Sequence, residues 1–218
     1  MNFKKAFTYI FEDPNWLEKL IVPLLVGLIP IVGQLALSGY VMRVIQNVAQ
    51  RTQPELPSFD FGLDLGKGFR WFLVALVYSL PVMLFSLLFL WPTFRLENNG
   101  NDTIAIIVLI LIGLLFFLLL LAFAFVLPIA QVNFAVKDTF ASAFDFKTLF
   151  KLIKNNIVAW LMVLAGTVIA GFISPLGGIV FVIGAMVTAF YGQLFVAHLA
   201  GQAYALSQTP GGQGVAPF

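Results

Sequence analysis

Few side chains in this sequence can do chemistry, and their types narrow the possibilities at once. There is no cysteine, which excludes a thiolate nucleophile, a disulfide framework and a cysteine-ligated zinc or iron–sulfur centre. His198 is the single histidine, so a histidine-rich metal site is excluded too. Two roles stay open for it: a hydrogen-bonded position in helix packing, or a proton-linked one. Gly62-Leu63-Asp64-Leu65-Gly66-Lys67-Gly68 has the outline of a phosphate loop. Its spacing is one residue short, no Ser or Thr follows Lys67, and no buried strand precedes it. The glycines read better as a place where an interfacial turn lies close to a helix. No Asp/Glu pair falls within an apolar span, which argues against a carboxylate proton relay. With no convergent nucleophile, base or ligand set, the expectation is a protein that is not an enzyme and holds no cofactor or metal.

What remains is a polar set at the ends of apolar segments. Arg43 lies roughly 18 Å along its helix from the preceding turn, deep enough that it must snorkel or face protein. One reading pairs it with Asp60 or Glu18. The other makes it the anchor of a polar vestibule formed with Gln46, Asn47, Gln131, Asn133, Gln193 and His198, able to hold an anionic headgroup or a small solute. A second set, Lys67, Arg70, Lys147, Lys151 and Lys154, is positioned to contact anionic lipid headgroups, at about 1 kcal/mol per cation.

The elements that carry these residues are membrane helices. Hydrophobic residues make up 61% of the 218 and charged ones only 10%, with a mean hydropathy of +0.99, whereas a soluble domain carries roughly 25% charged residues. The expected fold is an all-α integral membrane protein of about six transmembrane helices in three hairpins, with amphipathic interfacial helices on the cytoplasmic side. A single polytopic domain spans 1–206, in units 3–57, 58–139 and 140–206, followed by a Gly/Pro/Gln-rich tail, 207–218, expected to be disordered. The formal charge of +2 gives no basis for nucleic acid as a partner.

In chain order, Phe3 to Phe11 fits an interfacial helix. Asp13-Pro14 starts the next, with aspartate as N-cap and proline at the first helical position, so that it runs from Pro14 to about Ile29. Pro30 must break or kink it, leaving two readings of 14–50: a tight hairpin, or one kinked span. Ser58 to Phe72 reads as an interfacial segment, Phe69 to Trp91 as a span ended by Pro92, and Asn98 to Asp102 as a turn. Ile104 to Val126 is the most uniformly apolar helix, with Pro128 kinking its inner end. Phe140 to Asn156 is an interfacial helix with Phe146, Leu149, Phe150 and Ile153 on one face and Lys147, Lys151 and Lys154 on the other. Ile157 to Ile173 and Ile179 to Leu206 are the last two spans, joined by a turn at Ser174 to Gly178. The three units share a grammar of interfacial segment, helix, Pro/Gly turn, helix and polar inner end, consistent with three degenerate parallel repeats or with the self-similarity of any such bundle.

Gly184, Thr188 and Gly192 form a small-xxx-small row suited to close helix packing, within the chain or in a homo-oligomer. With six helices, every Lys/Arg except Arg95 falls on the side shared by both termini. The positive-inside rule then makes both termini cytoplasmic in a cell-membrane protein. The N-terminus is expected to be retained, because Glu12, Asp13 and Glu18 interrupt any signal-peptide pattern.

Phe11-Glu12-Asp13-Pro14-Asn15-Trp16, Leu28-Ile29-Pro30-Ile31-Val32-Gly33, Gly39-Tyr40 with Arg43 and Asn47, Leu56-Pro57 before Phe59-Asp60, and Leu80-Pro81 together resemble a family of uncharacterised prokaryotic multi-pass membrane proteins, known only as a domain of unknown function. The resemblance implies an inner-membrane protein and brings no catalytic residues. Three classes of role are compatible with these features: a membrane-organising protein interacting with lipid or protein, a small transporter or channel with a cytoplasm-facing vestibule around Arg43, and, least supported, an enzyme.

Overall fold

The computed structural model describes residues 1–99 and 103–210. Its α-helices are α1 (Phe3–Glu12), α2 (Trp16–Gly27), α3 (Val32–Gln50), α4 (Phe61–Leu88), α5 (Leu90–Asn99), α6 (Thr103–Lys137), α7 (Phe146–Asn155), α8 (Ile157–Ile173) and α9 (Phe181–Leu206), with 3-10 turns at Phe140–Phe144 and Ser174–Val180. No strand occurs among the described residues. Three helical stretches are long and apolar enough to cross a membrane: Phe61–Asn98, Thr103–Lys137 and Ile157–Gly178, with mean hydropathies of 2.4, 3.6 and 2.3. The chain divides into two compact units, Met1–Phe72 with Pro128–Phe218, and Leu73–Leu127.

In the first unit α1 lies against α9. The Phe7 ring stacks on Phe195 at 4.0 Å, the Tyr9 hydroxyl donates to the Leu194 carbonyl at 3.2 Å, and the Tyr191 hydroxyl donates to the Phe7 carbonyl at 2.9 Å. The next helix starts later than the sequence predicts, at Trp16 rather than Pro14. The Asp13 carboxylate accepts from the Asn15 N–H and from Lys19, so residues 13–16 form a turn instead of a capped helical start. At Pro30 the chain reverses. Ile31 takes a left-handed φ of 64° and the Val32 N–H donates to the Pro30 carbonyl at 2.7 Å, a γ-turn. Helix α3 returns along α2 so closely that a Cβ on Gly33 would fall 2.0 Å from the Val26 carbonyl oxygen.

Ser58 to Phe72 does not form a separate interfacial segment. Helix α4 begins at Phe61 and continues without a break through Phe72. The reason is its crossing with α3, where a Cβ on Gly39 would lie 1.7 Å from the Asp64 carbonyl oxygen and one on Gly68 1.7 Å from that of Leu35. Only backbone fits there, so the paired glycines hold this stretch helical against α3. The phosphate-loop resemblance dissolves into a helix crossing that uses one of its three glycines, since Gly62 and Gly66 meet no close neighbour. Helix α6 runs past Pro128 to Lys137. Along α8, Gly166 admits Leu199 of α9. The Gly184–Thr188–Gly192 row packs on the chain's own turn: Thr188 donates to the Ser174 carbonyl at 2.7 Å and Gly192 faces Ala170 and Ser174.

In the second unit α4 and α6 pair through Tyr78 on Phe123, edge-on at 6.1 Å, and Phe89 against Phe116 at 5.4 Å. Pro92 does not end the helix as the sequence suggests. The break falls at Phe89, and α5 resumes at Leu90. Pro92 then sits in the first turn of α5, where a missing N–H breaks no helical bond. Of the turn expected over Asn98 to Asp102, residues 100–102 lie outside the described residues.

Candidate functional site

Several of the strongest polar contacts of the first unit converge on one loop. Residues 51–60, between α3 and α4, carry the carbonyls and the one carboxylate that the surrounding helices grip. Lys19 of α2 donates to the Leu56 carbonyl at 2.8 Å and to Asp13 at 2.6 Å. Arg43 of α3 donates to the Ser58 carbonyl at 2.9 Å while its other nitrogen meets both Asp64 oxygens at 3.1 and 3.2 Å. Asn47 donates to the Pro54 carbonyl at 3.1 Å. Glu55 receives Lys5 of α1 at 3.0 Å and His198 of α9 at 3.0 Å.

Hydrogen-bond accounting sets the state of His198. The Gln202 amide is oriented by Asn2, whose N–H donates to Gln202 Oε1 at 2.7 Å and whose carbonyl accepts from Gln202 Nε2 at 3.1 Å. Gln202 Nε2 therefore also donates to His198 Nδ1, 2.8 Å away. Nδ1 is the acceptor, and the proton sits on Nε2, where it is donated to Glu55. Both ring nitrogens are engaged and the ring is fully buried, so His198 is a structural bridge from α9 to the loop. Burial pushes the Glu55 carboxyl up, but the hydrogen bonds from His198 and Lys5 and the lysine's charge outweigh it and hold it at about 2, against an ordinary 4.5. Beside the loop, Lys5, Tyr9, Glu12, Asp13, Gln53 and Glu55 border a cavity of about 270 Å³.

The residues expected to form one vestibule are distributed among several settings. Arg43, Asn47 and His198 meet around the 51–60 loop. Gln46 accepts from Lys67 at 2.5 Å, and buried Asn133 donates to the Ser142 carbonyl at 2.7 Å. Gln131 and Gln193 line a separate crevice among α3, α6, α8 and α9. Arg43 pairs with Asp64 rather than with Asp60 or Glu18. Among the proposed headgroup contacts, Lys147, Lys151 and Lys154 are exposed along α7, and Arg70 is half-exposed against Asp138 at 3.1 Å. Lys67 is buried, turned toward Gln46 and the Ala135 carbonyl.

Helix α7 is fastened at both ends. Asp145 caps it, accepting from the Thr148 N–H at 3.1 Å and from the Thr148 hydroxyl at 2.6 Å, and those bonds hold its carboxyl below the ordinary range. The Trp160 indole donates to the Leu152 carbonyl at 3.2 Å, and Asn155 donates to the Ser207 carbonyl at 2.8 Å. The apolar residues of α7 divide in a way the sequence periodicity did not separate: Leu149 and Leu152 are buried, while Phe146 and Phe150 are 52% and 70% exposed beside the lysines.

Sequence reasoning missed Glu55, Asp64 and Gln202. Glu55 sits in a short polar loop with no periodicity, and Asp64 was read inside the glycine-rich run. The one available signal was the i, i+4 spacing of His198 and Gln202 on a helix, which puts two polar side chains on one face.

Among the described residues the chain is all-helical, and its three stretches long and apolar enough to cross a membrane place it with membrane proteins. Within that class, residues 22–188 match the family described as Protein of unknown function (DUF4013), and the chain belongs to it. The matched region includes the Leu28–Gly33, Gly39–Asn47 and Leu56–Asp60 motifs, whereas Phe11–Trp16 precedes it. Comparison with curated proteins and with solved structures finds no match.

Proposed function

We propose that this chain is a multi-pass protein of the cell membrane, with six spans in three hairpins and both termini cytoplasmic, that interacts with anionic lipid and organises the membrane without catalysing a reaction. The observation that carries this reading is α7. Leu149 and Leu152 anchor it, Phe146 and Phe150 are exposed beside Lys147, Lys151 and Lys154, and a helix with that cross-section lies in the headgroup layer with its rings in the acyl boundary. Arg70 extends the basic surface, although its pairing with Asp138 offsets part of its charge. A transport role around Arg43 is less supported, because its guanidinium is occupied by Asp64 and Ser58.

The test replaces Lys147, Lys151 and Lys154 together with Gln, which keeps helix propensity and removes charge. The full chain is extracted into polymer-bounded native discs and its lipids quantified. At about 1 kcal/mol per lysine, roughly fivefold each, enrichment of anionic over zwitterionic lipid should fall severalfold in the variant. Unchanged enrichment in a folded variant refutes the reading.

A further inference from the structure

We infer that the α2–α3 hairpin is a re-entrant wedge whose tip ends in the hydrocarbon of the bilayer, so that its partner is the acyl-chain region entered from one face. Its depth follows from what its two helices hold. The 51–60 loop exposes Arg51, Thr52, Gln53 and Asp60, and an irregular segment carrying exposed charges does not lie in hydrocarbon. Lys19 of α2 grips the Leu56 carbonyl and Arg43 of α3 the Ser58 carbonyl, which fixes both positions at the level of that loop, in the headgroup layer or in water. From there to the reversal at Pro30 and Ile31 is about eleven or twelve residues on either helix, roughly 17 Å of rise. The hydrocarbon core is about 30 Å thick, so the tip stops near its middle.

The tip is built for that depth. No polar side chain occurs from Leu20 to Gly33. Leu25, Leu28, Ile29 and Val32 are exposed, and Ile31 is 76% exposed, whereas a turn that reached water on the far face would be marked by polar residues. The backbone is closed as well. The N–H groups of Leu28, Ile29, Val32 and Gly33 each donate to a carbonyl inside the hairpin, and Pro30 has no N–H to satisfy. The polar side chains nearest the tip, Gln34 and Ser38, turn back to the Gly27 and Gln34 carbonyls at 2.7 and 2.9 Å. Lipid offers none of these groups a partner, and a turn that bonds to itself needs none. The inference rests on the membrane-organising reading and narrows its six spans at this hairpin alone: α2 and α3 enter and leave by one face, which keeps both termini on the side proposed above. A wedge of this kind displaces lipid from one leaflet more than from the other.

The chain has no cysteine, so single thiols can be labelled on the full chain without background. Ile31→Cys and Ile29→Cys at the tip are compared with Thr52→Cys in the loop, in phosphatidylcholine/phosphatidylglycerol proteoliposomes opened by freeze–thaw so that a membrane-impermeant maleimide reaches both faces. Thr52→Cys should be labelled, and neither tip thiol should be until dodecyl sulfate is added. A bimane attached to a tip thiol before reconstitution should be quenched more by lipid carrying a nitroxide at the end of its acyl chain than by lipid carrying it beside the headgroup. Labelling of either tip thiol by the impermeant reagent overturns the inference, because the hairpin then reaches water. Stronger quenching beside the headgroup overturns it by placing the tip at a surface, and quenching by neither lipid overturns it by placing protein, from a second copy or a partner, over the tip. Labelling Thr52→Cys in sealed cells tests the cytoplasmic placement separately: reaction from outside refutes that placement, while the tip thiols still decide the wedge.

Discussion

Glu55 joins the N-terminal helix, α9 and the 51–60 loop through one carboxylate, so neutralising it should loosen all three. Glu55→Gln removes the charge and keeps an oxygen that can accept from His198. The carboxyl is held at about 2 against an ordinary 4.5, a difference worth about 3 kcal/mol at ~1.4 kcal/mol per pH unit. Its side chain is 11% exposed and that of Lys5 26%, so water at the adjoining cavity screens part of this and about 2 kcal/mol is the working figure. For a chain of this size that corresponds to a fall of roughly 4–8 °C in the unfolding midpoint. The sign follows from the depressed value: the contribution is fully present above 4.5 and is lost as pH falls toward about 2. The assay is thermal unfolding in detergent, followed by the fluorescence of the four tryptophans. Wild type should lose stability over that acid window, while Glu55→Gln should start lower at pH 7 and lose less. A variant that melts with wild type at pH 7, or that keeps the full acid dependence, refutes the role given to Glu55.

The helix crossing yields a sharp contrast. Gly39→Ala and Gly68→Ala each place a Cβ 1.7 Å from a backbone oxygen and should cost at least about 3 kcal/mol, read as lost folded yield, whereas Gly66→Ala, with nothing within 4 Å, should gain about 0.5–1 kcal/mol from helix propensity. If all three behave alike, the crossing is not where we place it. Asp64 is fully buried against Arg43, so Arg43→Met alone should destabilise by about 3–5 kcal/mol and the double variant Arg43→Met/Asp64→Leu should recover most of it. A double variant no better than the single one in thermal unfolding would show that Arg43 matters for something other than its partner.

Apolar periodicity made much of this fold legible. The character of α6, the position of α8 and the basic face of α7 follow from residue pattern alone, because burial and helical period act over ten or more residues, whereas at Pro30 the pattern shows a break and leaves open whether the chain kinks or turns back. Other features depend on contacts between distant parts of the chain. Pro92 looks like a terminator by propensity, but the helix had already broken at Phe89, which leaves proline in a first turn. Ser58 to Phe72 has the composition of an interfacial segment, and tertiary packing at Gly39 and Gly68 overrides it. Lys67 belongs by sequence with the headgroup lysines, and only the positions of Gln46 and Ala135 show that it turns inward.

The polar groups of the first unit fall into two sets. At the 51–60 loop each cation has an acceptor and each buried carboxylate a cation: Lys19 with Asp13, Arg43 with Asp64, Lys5 with Glu55. Such closure gives a loop the rigidity of the helices around it, since releasing any one contact leaves a buried charge exposed to low dielectric. It also explains why the residues first grouped as a vestibule separate so cleanly. Arg43, Asn47 and His198 hold the loop, and their capacity is filled within the chain. Gln131 and Gln193 take no part in that network, although their side chains could have been apolar at no cost to it. Gln131 is half-buried and Gln193 exposed, so neither amide has to be satisfied inside the chain.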